Sequence, residues 1–496
     1  MSDKKKNQPD STSVAYDLML PRWRKMECVL GGTETMREAG EEFLMRFPYE
    51  SDRNYMIRLQ FATLFNMTEL TLESWVGRPF SDPVNISENM DEQLKYILEN
   101  DVDLQGNSVN VFSRNWFRIG LAKSFAHVLI EFPRIVAKED GQPRTLEDDR
   151  REKLRPFFRL LPPESVLFAS CNSVNGKEVL SEVRILEERV GRDGFLETYT
   201  PRIRRLLPGR VELYEEQQMK GSKKKLWVVV DEYQTGRDII PMVTFYSNRQ
   251  SFMVGKSPLQ DLADLNISHW NSDSEQRNVL SVARFPMLAA SGAVDVAKIE
   301  IGPKKLLQSE DPNSKFYYVE HGGTAIESGF KDLAELESKM SQYGSQFLRK
   351  RPGGETATAR ALDSAEATSP LQDVTLRFTD ALNLAIEFMG DWMGIDSSKD
   401  NTVSISTEFG PENFESGDIQ ILSKARETRE ISRSAFLDEL KRRGVLSDKF
   451  NAEEDAEELM EEQAEFAASM ESVIKTGQGL EDGTDEEQDG TEEDQS

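Results

Sequence analysis

Cysteine is almost missing from this sequence. The 496 residues contain two, Cys28 and Cys171, far apart. They give no disulfide framework and no metal-ligand spacing, and such usage suits a reducing compartment. Histidine is nearly as scarce: His127, His269 and His321 sit in unrelated segments. A lone histidine is most often structural, and none has a partner at metal spacing. No Ser-His-Asp or Cys-His arrangement can be nominated either. No stretch approaches the ~20 apolar residues of a membrane span. The start, "MSDKKKNQPDSTSVAYD", lacks the apolar run of a signal peptide. The expected protein is soluble and intracellular at synthesis, with no membrane partner. Positive charge is also short, with 61 Lys and Arg against 88 Asp and Glu, a net of −27. The deficit is uneven. Residues 451–496 carry 18 acidic residues and one Lys, which leaves −10 for the first 450. That balance argues against a general nucleic-acid coat, which would be basic, but allows contact at a local patch.

Two partial motifs fail on their parts. "VGKSPL" has the Gly255-Lys256-Ser257 end of a phosphate loop. The residue five positions earlier is Gln250 instead of Gly, and Pro258 interrupts the helix that should begin there. "DVDLQGNSVNVF" starts like a calcium loop at Asp101, Asp103 and Gly106. Phe112 stands where a bidentate Glu belongs, so a turn before a helix is expected. The acids Glu147, Asp148 and Asp149 are the best set for a metal-dependent nuclease, and a solvated loop accounts for them. The chemistry is therefore negative: no enzyme, no cofactor and no metal are expected.

At 496 residues the chain has material for about three domains at ~150 residues each. Residues 1–14 read as a disordered arm. Helical patterns follow: "LPRWRKMECVLGG" stops at Gly31-Gly32, and Ser51 is placed to cap one long helix ended by Gly77 and Pro79. "NSVNVFSRNWFRIGLAKSFAHVLIEFP" reads as a helix entering a buried strand, and residues 137–154 as a charged loop. From Phe158 to Thr244 the pattern is β, in "EVRILEERV", "RVELYEEQQ" and "KKLWVVVDEYQ", with a hairpin turn at Lys220-Gly221-Ser222. Pro258 opens a second helical region. Leu259, Ala263, Ile267 and Trp270 share one of its faces, and Pro286 ends it. Short strands come next, with a turn at Asp311-Pro312-Asn313. Thr324 and Glu327 form a capping-box pair for another helix. Its stripe of Ile326, Phe330, Leu333, Leu336, Met340, Tyr343 and Phe347 averages 3.5 residues per step and suits packing along a neighbouring helix. A third long helix covers about 371–393, with Pro370 as its start or a kink. "NTVSISTEF" reads as a strand, "ISRSAFLDELKRRG" as a helix ended by Gly444, and 452–474 as an acidic helix. The end, from Gly477, cannot bury enough apolar surface to fold alone.

The feature that stands against the acidic background is "GSQFLRKRPGGETATARALD". Arg349, Lys350 and Arg351 lie beside Pro352 and the flexible Gly353-Gly354. As a helix end, the cations complement the negative C-terminal dipole. As a mobile loop, they present positive charge to a polyanion, since phosphate contacts need no sequence specificity.

Several segments in order resemble a portal protein of tailed bacteriophages, in a subgroup usually catalogued as uncharacterised phage proteins. They are "SPLQDLADLNISHWNSDSEQRNVLSVARFPMLAASG", "IGPKKLLQSEDPNSKFYYVEHGGTAI", "ETATARALDSAEATSPLQDVTLRFTDALNLAIEFMGDWMG" and "EISRSAFLDELKRRGVLSD". The likeness spans about residues 15–450. It implies a homo-oligomeric ring, usually a dodecamer, at one capsid vertex. The ring conducts double-stranded DNA without sequence specificity during packaging and ejection. The implied fold is α+β. Residues 15–256 and 361–410 would form a wing, 257–285 and 324–347 paired stem helices, and 286–323 a small β clip. Residues 348–360 would be a tunnel loop whose Arg349, Lys350, Arg351, Gly353 and Gly354 face DNA. Residues 411–475 would be a helical crown and 476–496 a disordered acidic tail. Stem packing would rest on Leu259, Ala263, Ile267, Trp270, Ile326, Phe330, Leu333, Met340 and Phe347. The implied partners are the terminase large subunit, a head-tail adaptor and the major capsid protein. The implied location is the virion portal vertex, with the host cytoplasm during assembly. The alternative is a non-portal viral structural protein associated with nucleic acid.

Overall fold

The computed structural model describes residues 8–133, 154–218, 225–284, 287–291, 313, 315–319, 323–346, 369–395, 400–407, 423–428, 430–442, 450, 455–456 and 460. The chain divides between Phe409 and Gly410 into two compact units. The first mixes helix and sheet, an α+β arrangement.

Its N-terminal part is helical. Helix α1 (Val14–Leu30) begins at Ser13, whose hydroxyl accepts from the Tyr16 amide, and buries Met19, Trp23 and Met26. Helix α2 (Gly32–Ala39) follows at once. The single long helix expected after Ser51 is two helices, α3 (Asp52–Phe61) and α4 (Met67–Gly77). Ser51 does cap α3. The break comes from one tertiary and one local interaction that periodicity does not register. Ala62 turns extended while Arg37 binds its carbonyl, and the Asn66 side chain accepts from Glu69 N to restart the helix.

Strand β1 (Asn85–Ile86) and α5 (Glu92–Asn100) lead to α6 (Val109–Lys123), which runs into β2 (Phe125–Glu131), as the pattern predicts. Ser124 makes this corner at φ 75°. β2 is the centre of an antiparallel three-stranded sheet between β3 (Phe157–Leu161) and β9 (Met242–Tyr246). Burial on both faces from Phe125 to Ile130 explains why this run is apolar apart from His127. Between β3 and β9 lies an antiparallel five-stranded sheet in sequential order. Its strands are β4 (Val166–Val174), β5 (Lys177–Asp193), β6 (Leu196–Leu207), β7 (Arg210–Gln218) and β8 (Lys225–Gln234). The turn expected at 220–222 lies outside the described residues, and β7 pairs with β8 across it.

After a short hairpin of β10 (Arg249–Ser251) and β11 (Val254–Gly255) comes α7 (Gln260–Ala283). An antiparallel pair, β12 (Met287–Ser291) and β13 (Lys315–Val319), separates it from α8 (Gly323–Gln346). Thr324, expected to cap α8, is already a helical residue. Helix α9 (Pro370–Met393) starts with a complete capping box between Ser369 and Gln372. It lays Leu371, Val374, Phe378, Leu382, Ala385 and Met389 into the core. The strand expected at 401–409 shortens to β14 (Val403–Ser404), paired with β1. Asn383 supports it through bonds to both the Val403 amide and carbonyl. The heart of the unit is a ring cluster of Trp116, Phe117, Phe245 and Phe378. Phe117 stacks on Phe245 at 5.7 Å and Phe378 meets Phe245 edge-on at 4.9 Å. This clamps α6, β9 and α9 together.

The second unit contains α10 (Arg433–Arg442), started by Ser432, whose hydroxyl accepts from the Ala435 amide. The acidic helix expected at 452–474 and the tail at 476–496 fall almost wholly outside the described residues.

Candidate functional site

Helices α7 and α8 form an antiparallel hairpin. Three contacts fix the direction: Tyr343 Oη donates to Pro258 O at 3.0 Å, His269 Nε2 meets Glu337 Oε1 at 3.3 Å, and Gln276 Nε2 donates to Ile326 O at 2.9 Å. Partners therefore rise along α7 as they fall along α8. The helices approach closely at Gly329, where a Cβ would lie 2.0 Å from Gln276 Oε1. At 24 residues each, they reach about 36 Å.

The hairpin is anchored at one end. Leu259, Ala263 and Trp270 are fully buried, and Ile267 packs against the same core. Met340 and Leu333 are buried on α8. Trp75 Nε1 donates to Gly344 O at 3.0 Å, tying the last turn of α8 to α4. Toward the other end burial fades. Ile326 is half-buried, Phe330 is 52% exposed and Tyr317 is 51% exposed. The sequence-predicted stripe thus meets the chain's own core at its root and solvent further out. Phe347 lies outside the described residues, as do Arg349, Lys350, Arg351, Gly353 and Gly354 of the cationic cluster.

Polar residues that apolar periodicity does not select fix the root. Asn266 is buried. Its Oδ1 accepts from both the amide and hydroxyl of Thr68, and its Nδ2 donates to Phe65 O. Asn271 accepts from Met45 N and donates to Phe43 O. Arg58, on α3, holds Glu50 in a two-pronged bond and reaches Met45 O and Ser274 on α7. Asparagine in a helix interior is the only sequence signal that marks these positions.

The five-stranded sheet is a second concentration of charge. Glu187 on β5 and Glu131 on β2 are both paired with Arg159 and Arg204. Arg205 pairs with Glu182 and Glu212, and Arg202 with Glu215. Hydrogen bonds from Arg202 lower the Glu215 pKa despite its burial. Burial pushes Glu212 up, but bonds from Tyr214 and Arg205 outweigh it and leave the carboxyl below its usual value. These are cross-strand pairs that fix register; each charge is matched by another.

The rejected motifs are used structurally. Asp101 and Asp103 accept from the amides of Gly106, Gln105 and Asn107, and Arg155 pairs with Asp101. Ser257 donates to Leu121 O and accepts from Leu259 N, while Lys256 pairs with Asp261. His127 is buried with Nδ1 2.8 Å from Thr244 Oγ1, and burial drops its pKa to about 3. His269 meets Glu337. His321 and the acids at 147–149 lie outside the described residues. Among the described residues no group of three or more His, Cys, Asp or Glu is placed to hold a metal. No described helix is long and apolar enough to cross a membrane.

The family described as a domain of unknown function (DUF4055) matches residues 258–393, the stretch from the start of the hairpin to the end of α9. No curated protein matches the chain. Among solved structures, the chain is similar to a chain from the neck of an empty GTA particle computed with C6 symmetry. The identity is 11% and the TM-score 0.39, over 75% of this chain and 87% of that one. A chain from the neck of a native GTA particle computed with C12 symmetry is 12% identical at TM-score 0.40, over 81% and 97%. A chain from the virion of a native gene transfer agent particle is 12% identical at TM-score 0.35, over 85% and 98%.

Proposed function

We propose that this chain is the portal subunit of a tailed bacteriophage. It forms a ring, dodecameric by resemblance, at one capsid vertex and conducts double-stranded DNA. The observation that carries the reading is the order and pairing of elements from α7 to α9. Two helices lie antiparallel, a two-stranded tip joins them, and the cationic segment then leads to a long helix that returns to the same core. Three of the four resembling segments fall on this same stretch. In this reading α7 and α8 are the stem, β12 and β13 the clip, and 348–360 the tunnel loop. The partly exposed outer stem then packs on neighbouring subunits, as a ring interface demands.

The electrostatics suit the task. A conduit must not hold its cargo, and each phosphate neutralised adds affinity through counterion release. A mostly acidic subunit, repeated around a ring, gives a weakly repelling wall. Arg349, Lys350 and Arg351 supply a single cationic belt for transient phosphate contact. The role is structural, not catalytic, and the packaging ATPase is a separate polypeptide. The terminase large subunit and the head-tail adaptor dock at the clip, and the major capsid protein surrounds the ring.

Negative-stain microscopy of the purified chain tests the ring directly: annular particles are expected, and a monomer under every assembly condition refutes it. The loop is tested separately by replacing Arg349, Lys350 and Arg351 with Ala. Rings persist while DNA packaging or retention falls; unchanged packaging would reduce the cluster to a solvated helix end.

A further inference from the structure

The β5–β6 hairpin outgrows its sheet. β4 pairs with β5 only as far as Ile185, and β7 pairs with β6 only from Arg202 onward. Beyond those points Glu187–Asp193 pair solely with Leu196–Arg202, a free two-stranded ribbon of about 20 Å. Register puts Leu186, Glu188, Val190 and Arg192 on one face with Glu197, Tyr199 and Pro201, and Val190 directly opposite Tyr199. At the tip, Phe195 and Leu196 are 109% and 72% exposed. An isolated two-stranded ribbon is marginal in water, and an apolar tip makes free projection costlier still.

The described residues also leave an open site with apolar walls and a charged rim. A cavity of about 480 Å³ opens between β2 and the roots of β6 to β8. Leu129, Leu206 and Ile240 form its wall, with Phe132 stacked on Trp392 at 5.6 Å and the Arg237 guanidinium 5.0 Å from the Trp392 ring. Its volume suits an aromatic side chain with neighbours. The tip cannot fill its own cavity. Arg204 lines the cavity and lies eight residues from Leu196 on one extended strand, about 26 Å away.

We propose that the β5–β6 arm of one copy docks on the next copy, seating Phe195 and Leu196 in the cavity beside Trp392. Asp193 flanks the tip and meets Arg237 at the cavity rim, while Glu197 is taken up by Arg192 opposite it and by the Tyr199 hydroxyl, so charge adds to shape in selecting a second copy of this chain. A knob and a cavity at different places on one surface make a head-to-tail contact, which closes into a ring or extends into a filament. The proposal rests on the ring reading only in taking the copies to stand side by side.

The test uses the full chain with Cys171→Ser as background. One preparation carries Phe195→Cys and another Ile239→Cys, a residue lining the cavity. Mixed and oxidised, they are expected to give a disulfide-linked pair on a non-reducing gel that neither gives alone; such a pair is necessarily between copies. Phe195→Ala, which alters a side chain free of its own chain, is expected to keep the melting temperature and weaken association about tenfold or more. Assembly is followed in parallel by sedimentation and microscopy. Rings that form without the cross-link and survive Phe195→Ala overturn the docking and leave the ring standing. Monomers without the cross-link overturn both.

Discussion

Glu50→Gln isolates the charge that secures α3 to the root of the hairpin. The Arg58 and Glu50 side chains are 3% and 6% exposed, and Arg58 Nη2 lies 2.9 Å from Glu50 Oε2. Removing one partner of a buried pair costs about 3–5 kcal/mol, because the other charge stays buried without compensation. Arg58 keeps Met45 O, Ser274 Oγ and the faces of Phe47 and Tyr55, so the loss is placed at the low end, about 3 kcal/mol. Urea denaturation at pH 7, followed by tryptophan fluorescence, reads it as a lower midpoint. Arg58→Met combined with Glu50→Gln loses less than the sum of the two single changes, because no orphaned charge remains. Acid gives an independent check. Hydrogen bonds from Arg58 hold the Glu50 pKa below the ordinary 4.5. The stabilisation is therefore complete above pH 4.5 and lost as pH falls through the lower folded value. Wild type and Glu50→Gln should converge in strong acid. A penalty under about 1 kcal/mol at pH 7, the level of an exposed pair, would refute the reasoning. So would a difference that stays constant into acid.

Two further expectations concern the core. His127 is held neutral by burial, with its pKa near 3 against an ordinary 6.5, so the unfolded chain binds the extra proton and stability falls as pH drops from about 6.5 toward 3. A His127→Gln variant should lose that part of the pH slope, measured by urea midpoints across the window, and an unchanged slope would count against it. Gly120→Ala places a Cβ 2.3 Å from the Phe245 ring, inside the Trp116–Phe117–Phe378 cluster; thermal unfolding should show a loss of about 1–3 kcal/mol, eased by Phe245→Leu, whereas a stabilised variant would show that the rings have room to move.

Much of the element order was legible in the sequence because it depends on short-range chemistry. Ser51 signs its helix by capping, Pro370 marks the start of α9, and the spacing of Leu259, Ala263 and Trp270 selects a buried face. The apolar run at 125–130, broken only by the buried His127, marks a strand covered on both sides. Misreadings arose where distant groups intervene. Arg37 on the Ala62 carbonyl, with Asn66 capping the next helix, splits what periodicity joins into one helix. The strand at 403–404 is limited by what pairs with it, the two residues at 85–86.

The sequence alone determined the charge economy and the alternation of helix, strand and helix. Each follows from composition or from neighbours within a few residues. Tertiary structure alone decided that α7 and α8 run antiparallel at Gly329, that Asn266, Asn271 and Arg58 fix their root, and that an arm and a cavity coexist on one surface. These depend on contacts between residues up to hundreds of positions apart, and no local pattern encodes which buried polar group will meet which partner.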